Sequence, residues 1–570
     1  MLNDNNKNDA LEAEEKYKTA VESASDYIEH FDILETITNV GNDEVFTPRK
    51  TCEMILNSLP EEVWHNPNYK WLNPATKNGI FEREIAIRLD IGLKEIIPDV
   101  EVRRKHILQN MIYAIGQTRF TANVARRTLY YCSQANRKCD GIKASDGHYV
   151  NGYAIGNGSW FNDEEGNIKT PNINHSFVDN KGNEMPSSCL DEEKNKYRCK
   201  YCGISGGSAY NDANQRETYA YEFIHFDKDK LLEHLQDRFF GGNRDMKFDV
   251  IIGNPPYQLS TNDKGGIQAI PIYNKFVEQA FLLNPKYISM IIPSRWYTGG
   301  IGMDSFRNLF LSKKNIKQLF DFPKSRDCFA NVDIAGGVLF FLYDSSFQGD
   351  CHIVSTIGNK KNEKYRKLNQ FDIFVRSNIG VEIINKIYGK VDKFLSDVVF
   401  PISPFGLPTN AKGEANYFAG SVKLISSTGE SFIRYNDIPK GKDYIDEYKV
   451  SIGQLNPDRG GVNNASDGKS YVTTKVKIYE PNEVFTATYL LLNHFKSRQE
   501  ADIFSSYIKT KFVRYLVNLT LSSMHITKDN FRFVPIMDFS KFNTDDKLYS
   551  YFDLSNDEIN DIENTIKEMK

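Results

Sequence analysis

The chain has no apolar run approaching the about 18 residues that a membrane-spanning helix needs, and its N-terminal residues are too polar for a signal peptide. No membrane partner is therefore expected, and a cytoplasmic location is. Cysteine is sparse: eight unevenly spaced residues in 570, which read as thiols or metal ligands rather than a disulfide framework. An excess of one charge is also lacking, since the net charge is only −4. Its distribution is uneven, however. Residues 1–40 carry −7 and 541–570 carry −4, leaving +7 on the body between them. A mildly basic body with acidic ends is compatible with phosphate contact. No convincing Asp…Glu-x-Lys cluster is present, so a fused nuclease is not expected. What remains, 40% hydrophobic and 26% charged, describes a soluble globular protein of two to four domains.

The stretch Lys247–Tyr257 organises the rest. Phe248, Val250, Ile251 and Ile252 form the short apolar run of a buried parallel strand. Gly253, Pro255 and Pro256 end it, and the prolines fix the turn and leave carbonyls free as acceptors. Asn254 adds a side-chain acceptor and Tyr257 a flat face, a combination suited to the amino group of a planar base.

Asn254-Pro-Pro-Tyr257 after an apolar strand resembles the catalytic loop of adenine-specific DNA methyltransferases. The resemblance implies that Asn254 and the carbonyl of Pro255 accept hydrogen bonds from the adenine 6-amino group, with Pro256 and Tyr257 completing the loop and Asn254 also bordering the cofactor. By context Phe329, in Asp327–Val338, matches the residue that stacks on the other face of the extruded base. Phe46-Thr47-Pro48 precedes an amphipathic helix carrying Cys52, Ile55, Leu56 and Leu59 on one face, with Thr47 placed to cap it. It resembles the family motif that touches the methionine part of S-adenosylmethionine. Asn73-Pro74-Ala75 with Gly79 resembles the cofactor loop that follows the first strand, where backbone N–H groups approach a carboxylate. It departs from the usual pattern in having Asn73 for Asp and a single glycine.

The second strand, Met111–Thr118, lacks the acid that commonly binds ribose, so Gln117 or Thr118 is the candidate there. Tyr221–Asp227 reads as a further strand, and the resemblance assigns Asp227 to the amino group of the cofactor adenine; a helix cap is its other reading. The insertion at 132–215 contains five cysteines. Cys199-x2-Cys202 has zinc-knuckle spacing, and Cys132-x6-Cys139 is the candidate partner pair, with Cys189, His175 or His148 able to replace either member. Structural Zn2+ and free thiols both remain open.

The motif order is that of the gamma group of these enzymes, restriction–modification methylases included. It implies an α/β fold: a doubly wound, Rossmann-like sheet at 41–345 with the Cys-containing insertion, preceded by a helical arm at 1–40. A separate C-terminal α+β target-recognition domain at 346–540 and an acidic helical tail at 541–570 follow. Lys509, Lys511, Arg514 and Arg459 are candidates for phosphate or base contact. The implied activity is methyl transfer from S-adenosylmethionine to the 6-amino group of a flipped adenine in double-stranded DNA, in a restriction–modification system or as an orphan, with a cognate restriction endonuclease as a further partner. The rival readings are a catalytically silent DNA-binding or zinc-scaffold protein and a glutamine methyltransferase of release factors.

Overall fold

The computed structural model describes residues 45–130, 134–136, 160–185, 197–206, 221–261, 268–300, 302–329, 332–358, 360–458, 468–521 and 524–569. The expected arm at 1–40 lies outside them. Two compact units divide the chain, Met1–Gly242 with Gln258–Ile270 and Asn243–Tyr257 with Pro271–Lys570. Among the described residues no helix is long and apolar enough to cross a membrane.

The first unit alternates helix and strand: α1 (Arg49–Asn57), β1 (Trp71–Thr76), α2 (Ile80–Gly92), β2 (Ile112–Gly116), α3 (Arg119–Tyr130) and β3 (Ile168–Lys169). β1 pairs in parallel with β2, Trp71 opposite Ile112, and β2 with β3, Ala114 opposite Ile168. Every residue of β1 and β2 is buried, as in parallel strands covered on both faces, and the segment read as the loop after the first strand begins within β1 itself, at Asn73–Thr76. On α1 the residues Cys52, Ile55 and Leu56 are buried, with Leu59 just beyond, so the expected single apolar face is present. α2 and α3 pack against β1 and β2 and against each other.

Two elements differ from expectation. The third parallel strand is β3, inside the segment read as insertion. Tyr221–Asp227 is not a strand: Glu222–Ile224 forms a 3-10 turn, closed by Ile224 N–H donating to Tyr221 O at 3.1 Å. Within the insertion β4 (Phe177–Val178) and β5 (Arg198–Cys199) pair antiparallel, and α4 (Lys228–Phe240) follows the 3-10 turn.

The second unit begins with β6 (Val250–Gly253). β7 (Gln258–Thr261) and β8 (Gln268–Pro271) follow in the chain and pair with each other, Gln258–Ile270 clustering with the first unit. The chain continues through α5 (Tyr273–Leu282), β9 (Tyr287–Pro293), α6 (Asp304–Ser312), β10 (Ile316–Phe322), β11 (Val338–Asp344), β12 (Cys351–Ile357) and β13 (Lys360–Arg366). These strands hydrogen-bond in the order β13-β12-β10-β11-β9-β6. β6 with β9 and β10 with β12 are parallel; the other pairs are antiparallel. The sheet is therefore mixed, and it runs past the boundary expected at 345, to Arg366.

Beyond it lie two apolar cores. One gathers α7 (Asn378–Tyr388), a β17-β16-β19 sheet made of β16 (Tyr448–Gly453), β17 (Lys477–Tyr479) and β19 (Tyr489–Phe495), and the helices α8 (Arg498–Lys509) and α9 (Lys511–Asn518). The other surrounds β14 (Ser421–Ser426), which pairs with β15 (Gly429–Arg434) and β18 (Glu483–Phe485). The stretch around Pro401, Pro404 and Pro408 delivers Phe405 and Leu407 into the second core. One expectation is corrected. The acidic tail is not separate: Leu548, Phe552, Ile562 and Ile566 belong to the first core, and Glu563 pairs with Lys511.

Arg514 and Lys511 are corrected likewise. Arg514 is 1% exposed and donates to the carbonyls of Lys509, Tyr471 and Lys567 at 3.0, 3.3 and 2.7 Å. Lys511 pairs with Glu563 and Glu568. Both hold the C-terminal segment to α9, and neither offers a bare cation to phosphate. Arg459 lies outside the described residues.

Candidate active site

In the first unit the cofactor-loop candidates surround the end of β1. Its pairing with β2 shifts register between Asn73 and Thr76, and the bulge spans Pro74 and Ala75. Asn73 Oδ1 accepts from the Ala75 N–H at 3.1 Å, while its Nδ2 donates to Glu82 Oε1 at 2.8 Å. Glu82 is 1% exposed. Burial raises its carboxyl pKa, and the hydrogen bond from Asn73 opposes the rise. This explains the departure at 73. An aspartate facing a buried glutamate would set acceptor against acceptor, and the amide turns that clash into a hydrogen bond. Glu82 was missed by the sequence reading, although an acid in the first turn after the loop was visible.

Gly79 stands at φ +79°, and a Cβ there would lie 2.9 Å from the Cα of Ala125 on α3. The lone surviving glycine thus serves both the turn and the close approach of the two helices. Gly79→Ala is expected to cost about 1–2 kcal/mol from the left-handed backbone alone, and urea unfolding measures it.

Phe46, Thr47 and Pro48 lead into α1. Pro48 occupies the N-cap position without a side-chain cap, and Thr47 is buried. Thr47 is therefore not the cap, because its side chain faces the interior. Lys77, itself buried, donates from Nζ to Val45 O at 2.8 Å and ties this turn to the loop. Gln117, after β2, donates its backbone N–H to Thr76 O at 3.2 Å. Its side chain is 3% exposed, and neither amide atom has a hydrogen-bond partner. A buried amide of this kind costs free energy unless something completes it, so the cradle suits a ligand with hydroxyl or ring-nitrogen groups. Gln117→Ala is expected to weaken S-adenosylmethionine binding about tenfold, roughly 1.4 kcal/mol, by calorimetric titration.

Asp227 sits at the N-cap position of α4 but makes no side-chain cap. Its half-exposed carboxylate pairs with Lys200 at 3.2 Å.

In the second unit all of β6 is buried, as are Asn254, Pro255, Pro256 and Tyr257. Gly253 has φ +154°, a region essentially restricted to glycine. The Tyr257 carbonyl accepts from the Ile272 N–H at 3.2 Å, which fixes the far end of the turn. Burial raises the Tyr257 hydroxyl well above its usual range, and Cys328 adds to the rise. Cys328 immediately precedes Phe329, whose N–H donates to Ser325 O at 2.8 Å and whose ring is 1% exposed.

A second cluster lies in the first unit. His175, Cys199, Cys202 and His225 bring one ligand atom each to within 4.8 Å of one another. Cys199 and Cys202 flank a tight turn, with Gly203 N–H donating to Cys199 O at 2.9 Å. Cys132 and Cys139 lie outside the described residues, and the groups beside the knuckle are two histidines. Of these His175 was considered from sequence and His225 was not.

A family model described as Eco57I restriction-modification methylase matches residues 110–329. A Mycoplasma pneumoniae protein described as an uncharacterized adenine-specific methylase is 43% identical over 367 residues, 62% of this chain and 78% of that one. Among solved structures, the Type IIL restriction-modification enzyme MmeI in complex with DNA aligns over 84% of this chain and 63% of its own, at 10% identity and a TM-score of 0.41. A nuclease-deletion mutant of the Type ISP enzyme LlaGI with a DNA substrate mimic aligns over 85% and 46%, at 12% identity and a TM-score of 0.41. The chain thus spans less than two thirds of either enzyme. With the Asn-Pro-Pro-Tyr turn on β6 and the identity to the Mycoplasma protein, the chain belongs to the adenine-specific methylases of the restriction–modification kind.

Proposed function

We propose that the chain transfers the methyl group of S-adenosylmethionine to the 6-amino nitrogen of an adenine rotated out of double-stranded DNA. The observation that carries this reading is the turn itself: a buried strand, a glycine at φ +154°, then Asn254, two prolines and a buried tyrosine. Bound S-adenosylmethionine supplies an electrophilic methyl carbon. Asn254 Oδ1 and the Pro255 carbonyl accept the two amino hydrogens and favour a pyramidal nitrogen, whose lone pair otherwise delocalises into the ring. This is positioning and electrostatics by a preorganised turn. The methylated nitrogen is then acidic enough to lose its proton to water, so no strong base is required of the chain.

Tyr257 and Phe329 stack on the extruded base. Each contact contributes about 1–3 kcal/mol, against the few kcal/mol that unstacking costs. Both rings are buried, so a base reaches them only after a local opening.

Phe46, Thr47 and Pro48 hold the methionine part of the cofactor, and Asn73, Pro74, Ala75 and Gly79 line its approach. Gln117 takes the ribose and Asp227 the adenine amino group. The partnerless buried amide of Gln117 and the tight glycine approach at Gly79 support this fit. A structural Zn2+ in the insertion, sequence recognition by the C-terminal α+β region, a cytoplasmic location and a cognate restriction endonuclease complete the reading. Methylation-sensitive sequencing of host DNA with and without the chain tests it. One short motif modified at adenine is expected, and unmodified adenine throughout overturns the reading.

A further inference from the structure

The four groups at the root of the insertion come from three separate segments: His175 before β4, Cys199 and Cys202 around β5, and His225 after the 3-10 turn. In a tetrahedral zinc site with bonds of about 2.0–2.3 Å, neighbouring donor atoms stand about 3.3–3.8 Å apart. Cys202 Sγ lies 3.4 Å from His175 Nδ1, and His225 Nε2 lies 3.3 Å from the same nitrogen. A single His175 Nδ1 proton cannot serve both neighbours, whereas one cation accepts all four lone pairs. The tautomer of His225 is already set. Its Nδ1 lies 2.7 Å from Tyr221 O, a carbonyl that can only accept, so Nδ1 carries the proton and Nε2 is left as a donor to metal. Cys199, Cys202 and His225 are buried, and none of the described cysteines is in a disulfide. Two thiolates would cancel the charge of a divalent cation, and an S2N2 tetrahedron is the donor set of zinc.

We infer that His175, Cys199, Cys202 and His225 bind one Zn2+, and that this ion sets the position of Asp227. Backbone links hold the knuckle in place: Lys200 N–H donates to Ser176 O at 2.8 Å, and Cys199 N–H to Ile204 O at 2.8 Å. Lys200, between the two cysteines, pairs with Asp227, and His225 precedes Asp227 by two residues. The metal thereby fastens both the cation that holds the Asp227 carboxylate and the backbone that carries it. The second clause of the inference rests on the reading of Asp227 as a cofactor contact; the first does not.

The test uses the full-length protein. Metal analysis of wild type is expected to give about one zinc per chain, and Co2+ exchange a tetrahedral spectrum with thiolate charge-transfer bands. Cys202→Ser and His225→Ala are expected to lower zinc affinity at least tenfold, while His175→Cys, which keeps four donors, retains the metal. If the loss variants do not fold, wild-type stoichiometry and the Co2+ spectrum still decide. Zinc-free wild type, or an octahedral Co2+ spectrum, overturns the site. Zinc removal by chelator is expected to weaken S-adenosylmethionine binding about tenfold, the same scale as the loss of a second-shell support. Unchanged cofactor affinity after complete zinc loss overturns the positioning role. Zinc-loaded wild type that binds no S-adenosylmethionine at all contradicts the methyltransferase reading and with it the positioning role, and leaves the metal site standing.

Discussion

Asn254→Ala is expected to slow single-turnover methyl transfer about 10²–10³-fold, roughly 3–4 kcal/mol of transition-state stabilisation, the scale of one preorganised polar contact. The ground state does not supply this energy. The adenine amino group hydrogen-bonds to water as readily as to an amide; what the turn adds is acceptors fixed in direction before the nitrogen changes shape. The rigidity has visible sources. β6 is wholly buried, and the prolines have little freedom to lose. DNA affinity is expected to change less than about threefold, because the interaction is realised mainly in the transition state. A variant that binds DNA poorly yet turns over at the normal rate would place Asn254 in recognition instead.

Asn73→Asp is expected to destabilise the first unit by about 3–5 kcal/mol at pH 8, the cost of an uncompensated buried charge. The amide that donates to Glu82 at 2.8 Å would become a second carboxylate in a site where Glu82 is 1% exposed. The pH dependence has a definite sign. Burial already raises the Glu82 carboxyl pKa in the folded chain, and losing the Asn73 donor raises it further. A carboxyl raised on folding favours the native state below its unfolded pKa of about 4.3. That contribution is lost as pH rises through the folded value. The deficit of the variant should therefore be smaller at pH 5 than at pH 8 in urea unfolding. Equal deficits at both would show that charge is not the cause. Adding Glu82→Gln restores a donor and is expected to bring stability back to within about 1 kcal/mol of wild type.

The elements legible in the sequence were those whose physics is local. β6 is a short apolar run ending at a glycine, and it lies where that run predicts. The turn after β6 is written in its prolines and glycine. What was misread depends on partners distant in sequence. β3 is two residues, Ile168 and Lys169, and is a strand only because Ala114 and Ile115 lie beside it. Phe223 and Ile224 are apolar enough for a strand, but the backbone closes on Tyr221 instead of a neighbour. Arg514 and Lys511 look like an open basic face on a helical wheel, while the carbonyls of Tyr471 and Lys567 and the acids Glu563 and Glu568 that occupy them come from far along the chain. His225 carries no spacing signal, because its distance from the knuckle is set by the fold.

The most direct test of the central claim is nucleoside mass spectrometry on duplex DNA incubated with the purified chain and S-adenosylmethionine. N6-methyladenine formed by wild type, and reduced about 10²–10³-fold in initial rate by Asn254→Ala, is the predicted result. Methyl groups found on cytosine, adenine left unmodified, or an Asn254→Ala variant as fast as wild type contradicts it.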